Sequence, residues 1–77
     1  MTIREHYRQS ELEEVLGELH SLEITEIGLI AVIGKISVLL PEDKELATKL
    51  RDLIGRRVAM LRLDGYHVRC IEEEKHA

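Results

Sequence analysis

The chain has 77 residues, one cysteine and a formal net charge of −4. It therefore holds one small domain, cannot form an intrachain disulfide, and has a core that needs very tight packing, a ligand or a second copy to be stable. Phe, Trp and Asn are absent, so the core is built from Ile, Leu and Val. The longest apolar run, residues 29–33, falls far short of a membrane span, and the polar opening MTIREHYRQSELEE lacks the apolar stretch of a secretory signal. A soluble, cytoplasmic protein with no membrane partner is expected, and the single thiol of Cys70 fits a reducing compartment. The charge is uneven: residues 1–33 hold two Arg against seven Glu, residues 34–71 eight Lys or Arg against five acids, and residues 72–77 three Glu against one Lys. The middle of the chain is thus the part suited to an anionic partner.

Residues 1–9 have no hydrophobic period and are expected to be loose, as are residues 74–77. The run SELE at Ser10 is a capping-box pattern, and Leu12, Val15, Leu16, Leu19 and Leu22 follow at helical spacing. They predict a helix over about 11–22. Gly17 in its middle costs about 1 kcal/mol against Ala and leaves a rival reading of residues 15–24 as a strand.

The stretch EIGLIAVIGKISVLLP, about 27–40, is a long apolar strand or a hairpin. Its first half is apolar at both parities, so both faces must be covered. Gly34 is either a bulge in one strand or, with Lys35, a two-residue turn. A second helix is predicted over about 43–54, with the stripe Leu46, Leu50, Leu53, Ile54, acids in its first turn and Gly55 as a left-handed stop. Asp64-Gly65 predicts a tight turn joining strands 56–63 and 66–73. That register sets Leu63 against Tyr66, Leu61 against Val68 and Ala59 against Cys70 on an apolar face. Met60, Arg62, His67 and Arg69 share the other face, and Arg57 and Arg56 lie opposite Glu72 and Glu73. The expected fold class is α+β, one domain over residues 1–77.

Two surfaces stand out. Arg56, Arg62, His67 and Arg69 on the outer hairpin face, joined by Lys35, form a candidate nucleic-acid or anion-binding set, with Tyr66 or His67 able to stack a base. The doubly apolar segment, Ile27, Leu29, Ala31 and Ile33, is a candidate interface for a homodimer. His67 and Cys70 are spaced H-x-x-C, but residues three apart in a strand point to opposite faces, so no metal site is expected. The sequence contains no nucleophile turn, phosphate loop or dinucleotide fingerprint. No catalysis and no cofactor are expected.

From Gly34 to Ile71, GKISVLLP, a helix and then LIGRRVAMLRLDGYHVRCI resemble the strand–helix–hairpin portion of small β-barrels of the OB-fold kind. The resemblance covers about half the chain. With residues 15–24 as a strand, it implies a small OB-like barrel in place of the α+β domain. GKISVLLP followed by DGYHV is also similar to the swapped-hairpin DNA-binding dimers of the AbrB type. Both resemblances imply a nucleic-acid partner, and fold alone does not fix function.

Overall fold

A computed structural model describes residues 7–71. Its first element corrects the sequence reading: residues 14–25 are one long strand, β1 (Glu14–Thr25), where a helix was expected over 11–22. Val15 and Leu19 face the core. A register shift between Leu19 and Ser21 then resets the parity, so Leu22 also packs inward. This irregularity breaks the alternation that marks a strand and leaves apolar spacings that resemble a helix. The capping-box residues do interact, but they close a turn. The Ser10 amide donates to Glu13 Oε1 at 2.8 Å and the Glu13 amide to the Ser10 carbonyl at 3.0 Å, with Leu12 at φ 69°.

Four more strands and one helix follow: β2 (Gly28–Ile33), β3 (Ile36–Leu40), α1 (Lys44–Asp52), β4 (Arg57–Arg62) and β5 (Tyr66–Cys70). The sheet order is β3-β2-β1-β4-β5, with every neighbouring pair antiparallel. Among the described residues the protein is thus predominantly β with one short helix, and the two-helix α+β expectation does not hold. The rival reading of residues 15–24 coincides with β1. The first half of β1 pairs with β4 and its second half with β2, so one bent strand joins both halves of the sheet around a shared core.

Two glycines permit the close approaches this requires. A Cβ on Gly28 would lie 2.3 Å from the Leu40 carbonyl oxygen, and one on Gly17 would lie 3.1 Å from the amide of Gly34. Gly34 and Lys35 form the two-residue turn between β2 and β3, with Ile33 opposite Ile36, which settles the choice between a bulge and a hairpin. Leu29, Ala31 and Ile33 point into the core, while Ile30 on the opposite face is only 7% exposed. This chain therefore covers both faces of β2, and Leu29, Ala31 and Ile33 are interior side chains with no surface to offer a partner. Of the four residues proposed as an interface, Ile27 alone is exposed.

Helix α1 begins at Asp43, whose carboxylate accepts from the amides of Glu45 and Leu46, an N-cap that satisfies two otherwise unpaired donors. Leu46, Ala47 and Leu50 bury its inner stripe, Leu53 packs against the core, and Ile54 stays exposed. The helix stops at Asp52 with Leu53 as its C-cap, short of the expected stop at Gly55; Gly55, at φ 92°, follows in the turn and its amide donates to the Leu19 carbonyl at 2.7 Å.

The last hairpin differs from its predicted register by one residue. The loop is Leu63-Asp64-Gly65, so Arg62 faces Tyr66, Leu61 faces His67, Met60 faces Val68 and Val58 faces Cys70. Tyr66 and Val68 pack inward as expected, but Cys70, expected on the same apolar face, is exposed, and the faces of β4 are exchanged, because an odd loop length shifts the parity of one strand. Met60 is fully buried, while on the opposite face of β4 Leu61 is half-buried and Ala59 is 1% exposed. The expected opposition of Arg57 and Arg56 to Glu72 and Glu73 lies outside the described residues.

Candidate functional site

Residues 7–9, expected to be loose, are tied across the sheet. Tyr7 adds a parallel bridge to the edge of β3, its amide donating to the Ser37 carbonyl at 2.7 Å and its carbonyl accepting from Leu39 at 2.9 Å. Gln9 is 1% exposed. Its side-chain amide donates to the carbonyls of Met60, at 2.8 Å, and Glu13, while its Oε1 is buried without a partner among the described residues. The Tyr7 hydroxyl donates to the Glu13 carboxylate, which raises the Tyr7 pKa above the usual phenol value. Glu13 is held below the usual carboxylate range, first by the Ser10 amide and then by the Tyr7 hydroxyl.

This strap borders a cleft of about 350 Å³ lined by Arg8, Ile27, Leu39, Leu40, Pro41, Arg62 and Tyr66. Each wall has a structural origin. Ile27 stands in the β1–β2 turn, where the Thr25 hydroxyl accepts from its amide and donates to the Gly28 carbonyl. Leu39 to Pro41 close the end of β3. Arg62 and Tyr66 share a face only because the β4–β5 loop has three residues. The Arg62 guanidinium lies over the Tyr66 ring, 5.6 Å from its centroid, and its Nη1 donates to the Gln9 carbonyl at 2.6 Å. Its Nε is 3.8 Å from Glu11, an exposed pair of small energetic consequence. The cleft thus combines an apolar floor, two guanidinium groups and one aromatic face. It offers stacking and anion contacts.

The five predicted anion-binding residues do not converge. Arg62 lines the cleft. Lys35 is in the β2–β3 turn and Arg56 just before β4, at the other end of the molecule, where Gly34 donates to the Glu18 carbonyl and Glu18 pairs with Arg57. Five residue steps along β4 separate Arg57 from Arg62, about 17 Å. His67 and Arg69 are exposed on the outer face of β5. His67 Nε2 is bonded to the Leu63 carbonyl at 2.8 Å, and Arg69 lies 3.7 Å from Glu14. Met60, placed beside them by the sequence reading, is in the core. Arg8 and Gln9 were missed because they lie in a stretch without periodicity. The one available signal was that Gln9 is the sole carboxamide in the chain.

Among the described residues no group of His, Cys, Asp and Glu is arranged to hold a metal ion, and no helix is long and apolar enough to cross a membrane. No protein-family model matches the chain, and neither a curated protein nor a solved structure matches it.

Proposed function

We propose that this protein is a non-enzymatic binding module for single-stranded nucleic acid, engaged at the cleft between the β1–β2 turn and the base of the β4–β5 loop. The observation that carries the reading is the Arg62 guanidinium stacked over Tyr66 in a cleft that Arg8 also lines. A base stacks on an aromatic face for about 1–3 kcal/mol, and guanidinium groups suit phosphate oxygens. The strand order and the helix between β3 and β4 support it, since they resemble the OB-fold barrels, whose β1–β2 and β4–β5 loops border the ligand. Those barrels take oligosaccharides as well as oligonucleotides, and two arginines favour the anionic polymer. A reducing, cytoplasmic setting suits the exposed thiol of Cys70.

The test is an amide NMR titration with a short mixed-sequence single strand at low salt. Shifts are expected at Arg8, Ile27, Arg62 and Tyr66. The affinity should fall with salt at a logarithmic slope of about −1.4 for two phosphate contacts, and Tyr66→Leu should weaken binding roughly tenfold. No shifts at near-millimolar ligand, or shifts confined to Lys35, Arg56, His67 and Arg69, would overturn the assignment to this cleft.

A further inference from the structure

The Arg62 guanidinium is held by three contacts of unequal strength. Its Nη1 donates to the Gln9 carbonyl at 2.6 Å and its face lies 5.6 Å from the Tyr66 centroid, whereas its Nε is 3.8 Å from Glu11 Oε1. The other Glu11 oxygen, Oε2, accepts from the amide of Asp64, a loop residue at φ 52°, at 3.0 Å. One carboxylate thus spans a guanidinium N–H and a main-chain N–H. Two oxygens of a phosphate suit the same pair of donors, and charge-assisted bonds of ordinary length outweigh a carboxylate held at 3.8 Å. The Arg62 and Glu11 side chains are 41% and 52% exposed, so their pair is weak and the carboxylate can swing into water. Arg62 stays in place without it, because the Gln9 carbonyl and Tyr66 hold it. The neighbouring acid, Glu13, is not free to move in this way, being bound by the Ser10 amide and the Tyr7 hydroxyl.

We propose that the Arg62 Nε–H and the Asp64 amide form a phosphate subsite that Glu11 occupies in the free protein, and that an incoming phosphodiester displaces the Glu11 carboxylate. The ligand class rests on the single-stranded nucleic acid reading of the cleft; the anion subsite itself does not. Glu11 is then a tethered competitor. It offsets the charge of Arg62 until a stronger anion arrives, and a neutral polymer has no group to put in its place.

In the experiment, isotope-labelled full-length wild type, Glu11→Gln and Glu18→Gln are titrated by NMR with inorganic phosphate and, separately, with a short mixed-sequence single strand at low salt. Gln at position 11 keeps an oxygen for the Asp64 amide and removes the charge. A retained Met60–Val68 Hα–Hα peak checks that the register is unchanged. Glu18 is exposed opposite Arg57, at the far end of β4 from Arg62, and reports the general effect of losing one negative charge. Phosphate should move the Asp64 amide and the Arg62 Nε–H in every form. Glu11→Gln should bind phosphate and strand about fivefold tighter than wild type, the effect of one unit charge about 4 Å away in water. Glu18→Gln should gain less than about twofold, because screening weakens a distant exposed charge. Equal affinities for Glu11→Gln and wild type, an equal gain in Glu18→Gln, or an Asp64 amide that phosphate leaves unmoved would each overturn the proposal. A strand that shifts Ile27 and Tyr66 but not Asp64 refutes the subsite and leaves the nucleic-acid reading standing. Phosphate bound at Asp64 with no strand binding does the reverse.

Discussion

Two hairpins flank β1, and they differ by one loop residue. The β2–β3 hairpin turns on Gly34 and Lys35, while β4–β5 turns on Leu63, Asp64 and Gly65. In the first, the turn signal and the apolar pattern agree, because nearly every side chain of β2 is buried on one face or the other. In the second, β4 carries two competing apolar sets, Val58 with Met60 and Ala59 with Leu61. Tertiary contacts select between them: the Leu63 amide bonds the Gly65 carbonyl, and the Asp64 amide bonds Glu11 Oε2 at 3.0 Å. A turn dipeptide therefore gives a register only where the flanking parities allow one answer. The consequence is functional, since the same shift brings Arg62 to Tyr66 and leaves Leu61 on the outside.

The comparison can be broken most severely at its glycines. Gly28→Ala places a Cβ against the Leu40 carbonyl oxygen at 2.3 Å, where only backbone movement relieves it. Overpacking together with the positive φ should cost roughly 3 kcal/mol or more. Gly65→Ala in the other hairpin meets nothing within 4 Å and should cost about 1 kcal/mol from backbone strain alone. Urea unfolding of the two variants measures the contrast.

Next in size is the exchange of faces in β4. Met60→Ala should destabilise by about 2–5 kcal/mol, the range for a fully buried Met, and Leu61→Ala by less, because Leu61 is only half-buried. The two-residue register predicts the reverse order. Deleting Leu63 sharpens the point: Arg62 and Tyr66 would then flank Asp64-Gly65 as a two-residue turn with the inward faces kept. Stability should change by less than about 1 kcal/mol, whereas an exchange of faces would be far more damaging.

The smallest effect is local and depends on pH. Glu13 has a lowered pKa in the folded chain. Its contribution is present above the unfolded value of about 4.3 and is lost as pH falls through the folded one. Tyr7 has a raised pKa. Its contribution is present below about 10 and is lost as pH rises through the folded value. The strap should hold best between these limits. Hydrogen exchange at the Leu39 amide, which donates to Tyr7, should accelerate at both extremes, and Tyr7→Phe should remove the alkaline limb.

Much of the fold was legible in the sequence. Helix α1, the β2–β3 apolar segment and the inward placement of Tyr66 and Val68 follow from period, caps and turn residues. The identity of β1 was obscured by its register shift at Leu19–Ser21, which erases the period-two signal within one strand. Of the cleft, Arg62 and Tyr66 were singled out, but on opposite faces. Gln9 was hidden because what holds it is contact with Met60 and Arg62, some fifty residues away, and no local pattern encodes such a contact; Arg8 stands beside it in the same stretch without a period.

The cleft rests on the register of β4 against β5. Residues 58, 60 and 62 oppose 70, 68 and 66 as non-hydrogen-bonded pairs, because the Ile71 amide donates to the Arg57 carbonyl; α-carbons in such pairs lie about 4.5 Å apart. A NOESY spectrum of the wild-type protein should therefore show strong Hα–Hα peaks for Met60–Val68 and Arg62–Tyr66. Strong peaks linking Arg62 to His67 or Met60 to Arg69 instead, the non-hydrogen-bonded pairs of a two-residue turn on Asp64-Gly65, would return Arg62 to the outer face, and the assigned cleft would be wrong.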